Sequence, residues 1–225
     1  MKRYEIAILW IAVVIGMQNC KKKEVLPAMD SDMASLELLA DADRLRLRNV
    51  TSNPEQAGED VRTLMTSPEV FVRMMTLSRI ENWPKDAYMP FALAALEKDT
   101  SSLVRVRAFH LAWKDIKRIH PEDAHYRELM DATVARLTDE DDELFSLACN
   151  KLDVLEDADV FSELPSIIDT APERRLSQLF SLFCKKNLSR EDVDFILAHD
   201  KQLGTAAAVC REQVARARRL KFLYE

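Results

Sequence analysis

The chain has 225 residues, 48% of them apolar and 31% charged, with a formal charge of −6. Such a composition can bury a sizeable core and excludes disordered and collagenous classes; its acidic balance argues against nucleic acid as a main partner, because phosphate binding needs a positive footprint. Only three glycines occur, so neither a glycine-rich dinucleotide fingerprint nor a phosphate-cradling loop is present, and kinase and dehydrogenase chemistry drop out.

The first segment opens with Lys2 and Arg3 and then runs apolar for twelve residues, "IAILWIAVVIGM", from Ile6 to Met17. A membrane-crossing helix needs roughly 20 apolar residues, whereas the centre of a signal peptide needs about this many. The run ends at Cys20, followed by Lys21, Lys22 and Lys23. A cysteine in that place resembles the lipobox of bacterial lipoproteins, although Met17 and Asn19 stand where that family usually has a leucine and a small residue. The resemblance implies that residues 1–19 are a signal peptide, that Cys20 receives the lipid and that the protein sits in the cell envelope, held to a membrane. "EVLPAMDSD", residues 24–32, has no apolar period, so residues 20–32 read as a lipidated tether.

From Met33 onward the apolar positions keep a helical period, and no stretch shows the alternation that strands require. Helices are predicted over 32–48, 54–66, 68–82, 87–98, 101–119, 122–137, 140–155, 159–169, 172–186, 190–199 and 203–222. Their starts carry punctuation: "SPEV" at Ser67 offers a capping hydroxyl and a first-turn proline, "HPED" at His120 a proline with two carboxylates, and "SRED" at Ser189 a capping box.

The helices repeat in pairs. "SPEVFVRMMTLSRI" aligns with "SSLVRVRAFHLAWK" at an offset of 34, matching Arg73 with Arg107 and Leu77 with Leu111, and a further offset of 41 matches Val104 with Phe145. Aspartates at 99, 139, 169 and 200 recur at steps of 40, 30 and 31. Self-similarity at this spacing means that each helical hairpin buries its apolar faces against its neighbours. "MPFALAALEKDTSSLVRVRAFHLAW", Met89 to Trp113, resembles a HEAT repeat, with its early proline, turn aspartate and V-R-x-x-A second helix. The chain from about 54 to 222 carries weaker copies. The resemblance implies an all-α fold for residues 33–225: an α-α superhelix, a solenoid of the HEAT or armadillo-like kind, preceded by the signal peptide and tether. It also implies a ladder of side chains joining neighbouring repeats, carried here onto Arg73, Asp99, Arg107 and Asp139.

No residue constellation for catalysis emerges. Cys149, Cys184 and Cys210 each occupy an apolar helical position and read as small core residues, and the spacing of Cys149 and Cys184, about one repeat, argues against a bridge between them. His120 and His125 fall on different helical faces, unsuited to zinc, and His110 and His199 are lone. "DEDDE", Asp139 to Glu143, lacks the glycine of a calcium loop and reads as a helix cap. No metal or cofactor is expected. Solenoids bind through one face of their second helices, and there the pattern leaves Arg107, His110, Lys114, Lys117, Asn150, Arg174, Gln178 and Lys185 as candidate partner-binding residues. The expected function is a membrane-anchored, exported scaffold for protein–protein interaction without catalysis. The same resemblance leaves open a HEAT-like enzyme of the lyase or DNA-repair type, or a purely structural envelope lipoprotein.

Overall fold

The computed structural model describes residues 41–50, 53–114, 122, 124–155, 159–185 and 188–221. The signal-peptide segment, Cys20, the tether, Lys117 and His120 lie outside the described residues. The chain divides into two units, Met1–Arg44 and Leu45–Glu225. Of the first, Asp41–Arg44 are described; they open helix α1 (Asp41–Asn49), where Arg44 pairs with Asp41.

The second unit is all-α among the described residues. It continues α1 and adds α2 (Pro54–Met65), α3 (Val70–Arg79), α4 (Lys85–Lys98), α5 (Ser102–Ala112), α6 (Ala124–Ala135), α7 (Asp142–Leu152), α8 (Leu164–Thr170), α9 (Glu173–Phe183), α10 (Arg190–Ala198) and α11 (Ala207–Lys221), with short 3-10 turns between several of them. Local chemistry sets the starts. Asn53 accepts from the Glu55 N–H at 3.0 Å and Pro54 follows it at the first helical position of α2. Asp141 accepts from the N–H groups of Glu143 and Leu144 at 2.8 and 3.1 Å, which is the capping role expected of the acidic run. At Ser189 the capping box is complete: its hydroxyl accepts from the Asp192 N–H and the Asp192 carboxylate accepts from the Ser189 N–H. Ser67 departs from its expected role. The helix begins three residues later, at Val70, and the Ser67 hydroxyl instead accepts from the Glu69 N–H at 3.3 Å inside the preceding turn.

The helices pack as hairpins: α2 against α3, α4 against α5, α6 against α7, α8 against α9 and α10 against α11. The second helix of each hairpin also packs on the next one, α3 on α5, α5 on α7, α7 on α9 and α9 on α11, while α4 packs on α6. The apolar spacing explains this. The second helices of four successive hairpins start at residues 70, 102, 142 and 173, steps of 32, 40 and 31. In that frame four positions are closed to solvent every time: Val72, Thr76, Leu77 and Ile80; Val104, Ala108, Phe109 and Ala112; Leu144, Ala148, Cys149 and Leu152; Arg175, Leu179, Phe180 and Phe183. Positions i, i+4, i+5 and i+8 span about 140° of helix surface, wide enough to face both the hairpin mate and the next hairpin. Each large apolar member of that stripe contributes about 1.5–3 kcal/mol relative to exposure. This frame corrects the sequence offsets of 34 and 41: the partner of Arg73 is Arg105, not Arg107, and the partner of Phe145 is Arg105, not Val104.

The last hairpin is set differently. Ser177 meets Thr205 and Cys184 meets Cys210, so the chain from Gly204 runs parallel to α9 at steps of 28 and 26. Gly204 has φ +52°, a conformation that favours glycine, where the chain passes Ser177. Cys184 and Cys210 form a disulfide with Cα atoms 5.4 Å apart. Their expected role as plain core residues is corrected accordingly, whereas Cys149 is a free, buried thiol.

Candidate functional site

Two rows of polar contacts run across the second helices, one near their N-terminal ends and one near their C-terminal ends. In the N-terminal row, the turn residues Ser67, Asp99 and Asp139 are equivalent, and each accepts from the N–H two residues on. The guanidinium of Arg73 donates to the Ser67 and Pro68 carbonyls of its own turn, at 2.7 and 3.2 Å, and to both carboxylate oxygens of Asp99 in the next turn, at 2.7 and 2.9 Å. Arg105 repeats the arrangement one hairpin later. It donates to the Asp99 and Thr100 carbonyls at 3.0 and 3.4 Å and to Asp139 at 3.1 Å. Arg136 adds a second cation to Asp139 and donates to the Leu96 carbonyl at the end of α4.

The third hairpin has Phe145 where the arginine would stand. There Arg175 reaches back from α9, lies over the Phe145 ring at 4.5 Å and donates to the Asp139 and Glu140 carbonyls at 2.5 and 3.2 Å. These carbonyls are the equivalents of the Ser67 and Pro68 pair and of the Asp99 and Thr100 pair. Arg175 also donates to Asp142 at 2.7 Å, and that contact, with a lesser one from Arg174, holds the Asp142 carboxyl below the usual carboxylate range. The Arg73 side chain is 9% exposed and that of Asp99 7%, so this first pair is desolvated as well as bidentate. The Asp99 carboxylate accordingly pushes the Arg73 guanidinium above its already high value, against the opposing pull of burial. An open cleft of about 510 Å³ lies over this pair, bounded by Met65, Thr66, Val70, Phe91 and Lys98.

In the C-terminal row, Lys114 donates to the Glu81 carbonyl at 2.5 Å and Lys185 pairs with Asp153. The two contacts are equivalent in the structural frame, each joining a lysine just past one second helix to the end of the second helix before it. Arg107 belongs to this row too, paired with the Glu81 carboxylate. Its expected place in the N-terminal ladder is therefore a correction: a two-residue error of frame exchanged Arg107 for Arg105. The spacing that would have found the right residue is the turn-to-arginine interval, six from Ser67 to Arg73 and six from Asp99 to Arg105.

The strip expected to meet a partner overlaps the C-terminal row. Arg107, His110 and Lys114 of α5 and its end correspond, slot by slot, to Leu147, Asn150 and Val154, and then to Gln178, Ser181 and Lys185. His110 and Asn150 are exposed and make no hydrogen bond among the described residues, and Gln178 is half-buried. Although the residue is exposed overall, partial desolvation of its ring, with the Arg107 and Lys151 charges nearby, lowers the His110 pKa. Arg107, Lys114, Arg174 and Lys185, by contrast, are each already engaged with the preceding helix. His199 is part of the packing of α10, with its ring 4.3 Å from that of Phe195 and its Nε2 3.3 Å from Asp169. Burial pushes the Cys149 thiol up to about 12, which makes it inert as a nucleophile. No group of three or more metal-binding side chains occurs among the described residues, and no helix among them is long and apolar enough to cross a membrane. Among known proteins, no family model, no curated protein and no solved structure matches the chain.

Proposed function

We propose that the protein is an exported α-solenoid of HEAT-like hairpins, lipid-anchored through Cys20, that displays the strip along its second helices to a protein partner and performs no catalysis. The observation that carries the reading is the serial packing of α3, α5, α7, α9 and α11, because stacked second helices laced at both ends make a rigid, repeating face. Rigidity lowers the ordering cost of binding, and a membrane tether raises the effective concentration of the face. The disulfide supports export, since such bonds persist in oxidising compartments outside the cytosol. The resemblance of the leader to a lipobox supports the anchor.

The neutral members of the strip, His110, Asn150 and Gln178, are the contact residues the reading favours. The cations Arg107, Lys114, Arg174 and Lys185 contribute at the rim, where reversing their charge would also disturb contacts inside the protein; Lys117 lies outside the described residues. The test is recovery of crosslinked envelope partners by the full chain and by a His110→Glu/Asn150→Lys/Gln178→Glu variant, combined with fatty-acid labelling of the parent and of Cys20→Ala. The proposal expects partner loss in the triple variant and label loss in the cysteine variant. Unchanged partner recovery would discard the strip, and an unlabelled parent would discard the anchor.

A further inference from the structure

The C-terminal row presents a lysine at three successive rungs, each reaching back from one second helix to the end of the helix before it. Lys114 donates to the Glu81 carbonyl just past α3 at 2.5 Å, and Lys185 pairs with Asp153 just past α7. At the rung between them the frame puts Val154 where those lysines stand and Trp113 where Glu81 and Asp153 stand. Val154 offers no cation there and is 71% exposed. Lys151, one turn earlier on the same side of α7, supplies the cation instead, with its Nζ 5.5 Å from the centre of the Trp113 ring.

The three rungs differ in what is left of the charge. Asp153 neutralises Lys185, and the Glu81 carboxylate is taken by Arg107. Lys114 and Lys151 are held by a carbonyl and by an aromatic face, which fix an ammonium group without cancelling it, and no carboxylate among the described residues pairs with either. This sets them apart from exposed cations that nothing holds, because their positions follow the repeat of the fold. With α3 packed on α5 and α5 on α7, the two groups stand one helix step, about 8–10 Å, apart. Glu143, the acid on the strip side of α7, lies eight residues before Lys151, about 12 Å along the axis.

We propose that this edge of the strip binds an extended acidic segment of a partner protein, one carboxylate to each rung. The inference rests on the reading of the second helices as a partner-binding face and adds the chemistry of the partner. Charge complementarity sets the sign, and the step between rungs sets the conformation. In polyproline II geometry every third side chain returns to the same side after about 9 Å, which matches that step. A β-strand presents its third residue on the opposite side, and an α-helix advances about 9 Å only after six residues, which turns the side chain about 240° away. Lys185 can exchange Asp153 for the third carboxylate, since that pair is 48% and 41% exposed and such pairs are weak.

The experiment is fluorescence anisotropy of the full-length chain with a labelled, end-capped peptide, Glu-Pro-Pro-Glu-Pro-Pro-Glu, and with Glu-Glu-Glu-Pro-Pro-Pro-Pro, which has the same composition but bunched acids. The periodic peptide should bind more tightly than the bunched one, and added salt should weaken it. An exposed ion pair contributes up to about fivefold in affinity, so Lys114→Gln/Lys151→Gln should lower binding roughly tenfold, while Lys114→Arg/Lys151→Arg should bind as the parent does. Val154→Lys fills the vacant lysine position of the middle rung and should raise the affinity, by up to about fivefold, a gain that misfolding would not produce. Equal binding of the two peptides, parental binding by the double glutamine variant, no binding at all, or tighter binding of duplex DNA at equal salt would overturn the proposal. Its failure is distinct from failure of the strip reading: partner recovery that depends on His110, Asn150 and Gln178, without peptide binding, overturns this inference alone. Peptide binding in the expected order, with partner recovery unchanged in the strip variant, removes those three contacts and upholds the acidic-segment site.

Discussion

Replacing Arg105 by methionine keeps the side-chain stem and removes the guanidinium that donates to the Asp139 carboxylate and to the Asp99 and Thr100 carbonyls. The Asp139 side chain is 9% exposed, and without Arg105 its carboxylate retains Arg136 and the Asp141 N–H as donors. Hydrogen bonds to charged groups contribute about 1.5–3 kcal/mol, and stranding one partner of a buried ion pair costs about 3–5 kcal/mol. Arg105 is itself 17% exposed, and its partner keeps other donors. The cost therefore falls at about 2–3 kcal/mol. Arg107→Met removes a pair whose side chains are 29% and 39% exposed. Exposed pairs of that kind contribute about 0–1 kcal/mol. In a domain of this size each kcal/mol moves the melting temperature by about 2–4 °C, so Arg105→Met should lower it by roughly 4–12 °C and Arg107→Met by no more than about 4 °C. Thermal unfolding followed by circular dichroism, with urea titration to check that the m-value is unchanged, measures both. If Arg107→Met proves as costly as Arg105→Met, the sequence alignment at 34 residues describes the ladder and the structural frame of 32 does not.

Three further outcomes test other parts of the structure. Removing the disulfide by Cys184→Ser/Cys210→Ser opens a loop closed across a sequence separation of 26 residues, with an expected loss of about 3 kcal/mol in chemical denaturation. Of the three body cysteines, Cys149 alone should react with a thiol reagent in denatured, unreduced protein. Because the Cys149 thiol titrates near 12 when folded but near its ordinary value of 9.0 when unfolded, the unfolded chain loses its proton first; stability should decline as the pH rises above about 9, less steeply in Cys149→Ala. For Asp142 the sign is opposite. Its lowered pKa contributes stability that is present above the ordinary carboxylate range and is lost as the pH falls through the folded value. In Arg175→Met the Asp142 carboxyl, followed by NMR, should titrate higher.

Helix positions were legible in the sequence because each helix carries both a period and an edge. Ser189 and Asp192 cap α10 as their spacing implies, and the acidic run before α7 supplies its cap through Asp141. The frame between hairpins was less legible. Matching Val70, Val72, Arg73 and Leu77 with Val104, Val106, Arg107 and Leu111 aligns four identical or similar residues, yet burial follows the helix starts instead, pairing Val72 with Val104 and Leu77 with Phe109. A helix two residues out of frame is rotated by about 200°, so its face is lost even though its composition still matches. The disulfide escaped for a related reason. A search at one-repeat spacing pairs Cys149 with Cys184, whereas the last hairpin is shortened by the 3-10 turns at Asp200–Gln202 and Gly204–Ala206, which slide Cys210 alongside Cys184.

The ladder is defined by its acceptors more than by its arginines. Each turn before α3, α5 and α7 presents two carbonyls whose helical partners have run out, and each pair receives a guanidinium: Arg73 at Ser67 and Pro68, Arg105 at Asp99 and Thr100, Arg175 at Asp139 and Glu140. In the first two cases the donor comes from the same helix and crosses to the next turn's carboxylate. In the third, Phe145 occupies the donor position and cannot serve the carbonyls, but its ring gives a face on which an arginine can lie. Arg175 takes that face and comes from the following helix, so the direction of the link is reversed while the junction between α7 and α9 stays closed. A search for arginines at fixed intervals finds two rungs and misses the third, whereas a search for turns with unmet carbonyls finds all three. For repeating helical hairpins the unsatisfied backbone of the turn is the more dependable landmark, because its requirement for a donor persists when the side chain that usually supplies one has changed.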